Sequence, residues 1–323
     1  MRGEFDLIEG VFANLTPAGA TVLRGIGDDC ALLSVPSGQA LAVTTDTLVD
    51  GVHYPCATAP ADVGWKALAC SLSDLAAKGA EPAWATLALG LPQLDTDWVE
   101  RFAHGFAELA AQHGVSLVGG DLVQTSTTTI TVQLGGHVPP DAFIPRGGAA
   151  PGDPIFVSGW PGEAAAALAR GPEHVDPALR ARLDRPEPRV ALGYCLRGWA
   201  SASIDVSDGL VADLGHILRA SGVGACLDAQ RLPISPRLRA IGDTDTSRRW
   251  MLYGGDDYEL CFCLSGNLSR EISNLDHLPH PITQIGAVEE EPGIRLRGEA
   301  GDVYELAPHG YQHFNGDHDG SSQ

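Results

Sequence analysis

Aspartates close or interrupt most of the apolar runs of this chain. Leu41-Ala42-Val43 reads as a buried strand that stops at Thr44-Thr45-Asp46-Thr47, with His53 seven residues beyond Asp46. A strand ending in two hydroxyls and a carboxylate is a poor way to finish a core, but it suits presenting hard oxygen ligands to a cation. The same pattern recurs. Gly25-Ile26-Gly27 leads into Asp28-Asp29, and Val115-Ser116-Leu117-Val118 ends on Gly119-Gly120-Asp121. Asp205, Ser207 and Asp208 follow a short apolar stretch from Ser201, and Gly254-Gly255 precedes Asp256-Asp257. Asp74 lies between Leu72 and Leu75 of an apolar helix, where a lone carboxylate is costly unless paired or bound to metal. Oxygen ligands repeated in this way, without a His/Cys set, point to several Mg²⁺ ions rather than zinc, and thus to polyphosphate chemistry.

Each cluster also has a plainer structural explanation. Asp28-Asp29 could be a surface turn, and Asp74 could pair with Lys78 one helical turn on. Asp208 or Ser207 could simply cap the helix that follows. Placed at a helix N-terminus, the same turn suits metal-bound phosphate. Arg146, beside a Gly-rich turn, is a candidate phosphate contact or a solvated loop cation.

Composition narrows the classes. The chain has 323 residues, long enough for a large core and for two domains, and 44% of them are hydrophobic, as in an ordinary globular protein. Its 41 Asp+Glu against 21 Lys+Arg give a net charge of −20. Phosphate-backbone recognition needs clustered cations, so nucleic acid is not the expected partner. No apolar run approaches the ~20 residues of a membrane span, and the start MRGEFDLIEG does not read as a secretory signal; both point to the cytoplasm. Seven cysteines without a CxxC pair read as buried free thiols. No GxxxxGK[ST] loop and no protein-kinase motif set is present.

The elements that must position these residues can be sketched from periodicity. Helices are expected at Glu4–Leu15, Asp62–Lys78 (capped by Asp62, with Gly79 just past its end), Asp97–His113, Gly162–Arg170, Val190–Gly198 and Leu210–Ala220. Strands are expected near Leu32, at Leu41–Val43, Ala83–Leu91, Val115–Val118, Thr127–Val138, Pro154–Ser158, from Ser201, and at Leu260–Leu264, Ile282–Val288 and Gly293–Leu296. The stretch up to Arg189 is polar and Pro-rich. This pattern gives an α/β (α+β) protein with a boundary in the loop Arg146–Asp153. Residues 315–323 have nothing to bury and are expected to be disordered.

In combination the motifs resemble those of the thiamine-monophosphate kinases. They are GEF-x-LI at the start, GIGDDCALL, TTDTLV-x-GVH, SLSDLAAKGA, GGD, the Arg146 loop, IDVSDGL with DLGHI, and GGDDYELCF. They run from Gly3 to about Phe314, nearly the whole chain; single pieces are shared with aminoimidazole-ribonucleotide synthetase and selenophosphate synthetase. The resemblance implies a two-domain aminoimidazole-ribonucleotide synthetase-like fold. Residues 1–146 would form an N-terminal mixed sheet with helices that binds ATP and Mg²⁺ and dimerises, and residues 147–314 a C-terminal α/β domain. It implies transfer of the ATP γ-phosphoryl group to thiamine monophosphate, giving thiamine diphosphate, in a homodimer.

By motif, the resemblance puts Mg²⁺ at Asp29, Thr44, Thr45, Asp46, Asp74, Asp121, Asp205 and Asp208, with Asp46, Asp121 and Asp29 at the chemistry. It puts ATP at Gly120, Asp121, Arg146 and Ser207, and thiamine monophosphate at His53, Asp256 and Tyr311. Members of the family carry glutamate where this chain has Asp256, one methylene longer. Selenophosphate synthetase is disfavoured, because the first cysteine is Cys30, beside the acids, and not in a mobile N-terminal segment. A non-catalytic metal-binding scaffold is the contrasting class.

Overall fold

A computed structural model describes residues 4–265 and 278–311, and the expected disordered tail lies outside them. The N-terminal helix is shorter than its periodicity suggests. Four residues of α1 (Glu4–Leu7) pass into a π-helical turn at Ile8–Phe12 that contains Gly10, a poor helix former. A small hairpin of β1 (Val22–Arg24) and β2 (Leu32–Leu33) follows.

The first large sheet contains β3 (Ala40–Val49), β4 (Glu81–Leu91), β5 (Ser116–Gln124) and β6 (Thr129–Val138), in the order β3-β6-β4-β5. Only the β4–β5 pair is parallel. β3 corrects the sequence reading: the strand does not stop at Val43. It pairs with β6 residue by residue from Ala40↔Val138 to Val49↔Thr129, so Thr44, Thr45, Asp46 and Thr47 are strand residues. Side chains therefore alternate. Asp46 turns to the helix-covered face, while Leu41, Val43, Thr45 and Thr47 are exposed on the other.

Two helices cover the inner face, α2 (Pro60–Ala77) and α3 (Thr96–His113). α2 starts with proline in its first turn, where a missing N–H is harmless, and its N-cap is Ala59. Asp62 therefore does not cap it and instead pairs with Arg185. The two helices touch backbone to backbone. A Cβ on Gly64 would lie 2.0 Å from the Phe102 carbonyl oxygen, and one on Gly105 would lie 1.8 Å from that of Ala61. Fifteen of the eighteen residues of α2 are buried.

The second sheet has seven strands in the order β13-β12-β9-β11-β7-β10-β8: β7 (Pro154–Ser158), β8 (Ala200–Val206), β9 (Gly224–Asp228), β10 (Glu259–Leu264), β11 (Ile282–Glu289), β12 (Gly293–Arg297) and β13 (Val303–Leu306). Helices α4 (Glu163–Arg170), α5 (Pro177–Asp184), α6 (Val190–Leu196), α7 (Leu210–Ser221), α8 (Pro236–Ile241) and α9 (Thr244–Tyr253) pack around it. Helix α5 lies inside the stretch read as irregular. It starts on Pro177 behind the cap Asp176, and buries only Leu179, Leu183 and Asp184, too few to print a periodicity.

The chain passes between the sheets at residues 139–153, where the boundary was expected, but the core does not divide there. One apolar cluster runs from Leu68, Leu72 and Phe106 to Phe156, Leu192, Leu260 and Phe262, and a second lies wholly within the later half. α2 joins the halves through polar contacts as well. Trp65 Nε1 donates to the Pro186 carbonyl at 2.8 Å and Lys78 Nζ to the Ser203 carbonyl at 2.6 Å. Arg197 Nε reaches back to the Gly79 carbonyl at 2.6 Å. All seven cysteines are free, but Cys30, Cys56 and Cys195 are exposed rather than buried. Among the described residues no helix is long and apolar enough to cross a membrane.

Candidate active site

A cleft of about 530 Å³ opens between the two sheets, against α2. It gathers many of the residues singled out from the sequence. Thr45, Asp46 and His53 come from β3 and the turn after it, and Asp74 from α2. Asp205, Ser207 and Asp208 come from the end of β8, Asp256 from the turn before β10, and Tyr311 from the end of the described chain.

Three carboxylates share its floor. Asp46 Oδ2 accepts from Ser71 Oγ at 2.7 Å, and Asp74 accepts from Thr44 Oγ1, which ties the strand to the helix. Burial, then the charge of Asp74, pushes Asp46 up to about 6 despite the Ser71 hydrogen bond. Burial first, followed by the charges of Asp74, Asp213 and Asp46, holds Asp205 well above the usual carboxylate range. Lys78 is not the partner of Asp74 that the i,i+4 spacing suggests, because its ammonium donates to the Ser203 carbonyl. Burial and the charge of Arg146 lower Lys78 to about 8, against the pull of Asp205 and Asp74. Lys78 thus feels the charge of the acids and of Arg146, but neither cation is among the residues that line the cleft.

The Ser207-Asp208 turn is built differently from either sequence reading. The N-cap of α7 is Gly209, so neither Ser207 nor Asp208 holds the capping position. Instead Asp213, inside the first turns of α7, accepts the Ser207 and Asp208 amides on Oδ2, both at 3.0 Å. Those amides are therefore spent on a protein carboxylate, and a phosphate at this turn would meet side chains. Burial outweighs these hydrogen bonds and raises Asp213 to about 7. His53 Nδ1 accepts the Val49 amide at 2.9 Å, so the neutral ring carries its proton on Nε2.

Asp29, Gly120 and Asp121 lie elsewhere. β3 and β5 are the two edges of the first sheet, so Asp46 and Asp121 are separated by three strand spacings, about 14 Å. The cross-strand row of Asp121 runs through Ala88 and Thr131 to Thr47, the row that faces away from α2. Gly120 presses on the Leu87 carbonyl, where a Cβ would sit 1.9 Å from the oxygen. Gly120 and Asp121 border a separate apolar hollow of about 70 Å³ with Ile8, Phe12 and Ile26, and Asp29 is exposed and among the lining residues of neither space.

Sequence reasoning passed over Lys66, Ser71, Tyr258 and Asp213. Lys66 had one signal, a lone cation in the otherwise apolar run Val63–Cys70 of a helix. Asp213 stands four residues after Gly209 and shows nothing that distinguishes it from an ordinary helix-surface acid.

Among the described residues no three His, Cys, Asp or Glu side chains form a ready-made metal cage. Mg²⁺ is usually held by one or two carboxylates plus substrate phosphates, so an open set of crowded acids fits that ion better than it fits zinc. The raised Asp46 and Asp205 point the same way, since a divalent cation would offset the repulsion that hinders their ionisation.

Residues 27–138, which carry β3 to β6 with α2 and α3, match the family "AIR synthase related protein, N-terminal domain". The chain is 42% identical over 322 residues to the thiamine-monophosphate kinase of Escherichia coli (strain K12), covering 97% of this chain and 98% of the relative. The crystal structure of thiamine-monophosphate kinase from Stenotrophomonas maltophilia K279a superposes with a TM-score of 0.84 at 45% identity, over 92% of this chain and 98% of the other. A structure described as AaThiL complexed with AMPPCP and TMP gives 0.76 at 34% identity, over 97% and 99%. The chain belongs to the thiamine-monophosphate kinase family.

Proposed function

We infer that this protein transfers the terminal phosphoryl group of ATP to thiamine monophosphate, giving thiamine diphosphate and ADP. The observation that carries the reading is the floor of the cleft, where Asp46 of β3, Asp74 of α2 and Asp205 of β8 crowd into a site too acidic to receive phosphates unaided. Asp46, Asp74 and Asp205, with Asp208 on the same cleft, would hold Mg²⁺ ions, while Thr45 borders the cleft with its side chain on the opposite face of β3. When bound, Mg²⁺ supplies the positive charge that lets two anionic reactants approach. The protein's own part is positional. The exposed Arg146 would offer a cationic contact near the floor, His53 lines the cleft on the β3 side, and Asp256 and Tyr311 border the acceptor end. An acceptor phosphate monoester is already largely ionised near pH 7, so alignment and charge stabilisation suffice and no strong general base is needed.

The proposal extends to a cytoplasmic homodimer, with residues 1–146 and 147–314 as its two functional halves. Leu41, Val43 and Val123 expose apolar surface on the uncovered face of the first sheet, the face that also carries Asp121. A second copy seated there would cover that surface and would let Asp121 and Gly120 of one protomer approach the other's cleft. The function is tested by ADP release from Mg-ATP with and without thiamine monophosphate, with EDTA as control. The expected result is release that needs both, with thiamine diphosphate as product. Nucleotide binding without release would discard the acceptor, and cation binding without nucleotide binding would favour the scaffold.

A further inference from the structure

The acid at the acceptor end of the cleft already has its charge matched. Asp256 Oδ2 lies 2.8 Å from Lys66 Nζ, and its Oδ1 accepts from the Tyr258 hydroxyl at 3.0 Å. The Lys66 side chain is 1% exposed and that of Asp256 29%, so the ion pair is sealed on the lysine side and open on the carboxylate side. The bond joins α2 to the turn before β10, and Lys66 is anchored a second time on the Leu183 carbonyl at 3.2 Å. The turn itself is held in an unusual shape. Asp256 and Tyr258 have φ of 68° and 52°, in the left-handed region. Their amides are pinned to the Ser207 and Val206 carbonyls, both at 2.8 Å. Two residues strained in this way persist only where the surroundings over-determine them, and such strain gathers at binding sites.

A wholly buried ammonium is costly unless paired, so Lys66 is not a bystander of α2 packing. Nor does it face the phosphate end, since its ammonium is committed to Asp256 and Leu183. We propose that Lys66 is a positioning residue for the acceptor. It fixes the orientation of Asp256 and cancels its charge, so the acceptor's heterocycle meets a hydrogen-bond acceptor within a neutral pair. The group recognised at this position is then an N–H donor of the ring system, and the positive charge of the ring is not what Asp256 reads. This rests on the proposed function, because it takes the phosphate acceptor to lie against Asp256.

The test compares KM for thiamine monophosphate with KM for Mg-ATP and with kcat. The proteins are the full-length wild type, Lys66→Met and the double variant Lys66→Met/Asp256→Asn, with thermal denaturation to confirm folding. The two ideas differ in sign. If Lys66 positions and neutralises Asp256, Lys66→Met raises KM for thiamine monophosphate by roughly fivefold or more, well beyond any change in kcat or in KM for ATP. The double variant, which keeps a neutral acceptor, returns towards the wild-type KM. If Asp256 instead reads ring charge, Lys66→Met frees an anion and lowers KM, and the double variant is the worst of the three; either result overturns the proposal. Should Lys66→Met not fold, the double variant carries the test alone: a KM within about fivefold of wild type supports the proposal and a much larger one overturns it. A wild-type protein without ADP release dependent on thiamine monophosphate would remove the proposed function, and this inference with it, before any variant is compared.

Discussion

Replacing Asp46 by asparagine should make the metal-free protein more stable while disabling the site. The folded protein holds the Asp46 proton to a pH of about 6, against 3.8 for an ordinary aspartate. Between these values the folded state binds more protons than the unfolded chain, so stability falls as pH rises and the full penalty is present above pH 6. The difference of about two pKa units is worth roughly 3 kcal/mol at pH 7.5, and about half of that at pH 5. Asparagine carries no charge to desolvate, and its carbonyl can still accept from Ser71. For a chain of 323 residues the gain is on the order of 4 °C in melting temperature. The assay is thermal denaturation of EDTA-treated wild type and Asp46→Asn at both pH values, repeated with added Mg²⁺. The variant should melt higher at pH 7.5, the gap should narrow at pH 5, and Mg²⁺ should raise the wild type more than the variant. A variant no more stable than wild type at pH 7.5, or equally favoured at both pH values, would refute the claim that crowded, desolvated acids form this floor.

If the two acids of the first sheet act from different protomers, inactive Asp46→Asn and Asp121→Asn proteins should regain about a quarter of the wild-type activity when unfolded together and refolded as a mixture. Half of the refolded dimers are mixed and one of the two sites in each is intact, which is a quarter of all sites, and no regain would place Asp121 outside any shared site. Glu259 is fully buried and bonded to Arg189, Arg182 and Ser158 at 2.5–2.6 Å, and the arginines, chiefly Arg189, hold it below the usual carboxylate range in spite of burial. Glu259→Gln removes the carboxylate that two guanidiniums share, leaving Arg189 only Glu187 and Arg182 only Glu163, and should cost about 3 kcal/mol in urea denaturation, whereas a loss below about 1 kcal/mol would refute that role.

Much of the architecture was legible because it follows from apolar periodicity. α2, α3 and β7 lie close to where the pattern placed them, since each buries one long or nearly continuous apolar surface. The acids were legible as a group for a different reason, as each interrupts a stretch that would otherwise be core. Their backbone setting was not. Thr44 to Thr47 look like a strand ending, because polar residues on both faces of an edge strand resemble a loop until the pairing with β6 is known. α5 was hidden by Pro177, by the prolines that flank the helix, and by its few buried residues. The Lys66–Asp256 bond spans 190 positions, and no local rule pairs residues at that distance. The separation of Asp121 from Asp46 follows from strand order, which periodicity does not encode.

The burial of α2 bears on how the protein can be taken apart. Its sequence belongs to the first half, yet Trp65, Lys66 and Lys78 are bonded into the second, and the principal core runs through it. Cutting the chain in the loop after Arg146 would leave one piece with a fully buried lysine turned out to solvent and the other with an empty groove. Neither piece would be an autonomous folding unit. Loss of the cleft and global unfolding then become a single event, and a recombinant chimera that exchanges halves at this loop has to carry α2 and the groove that receives it from the same parent.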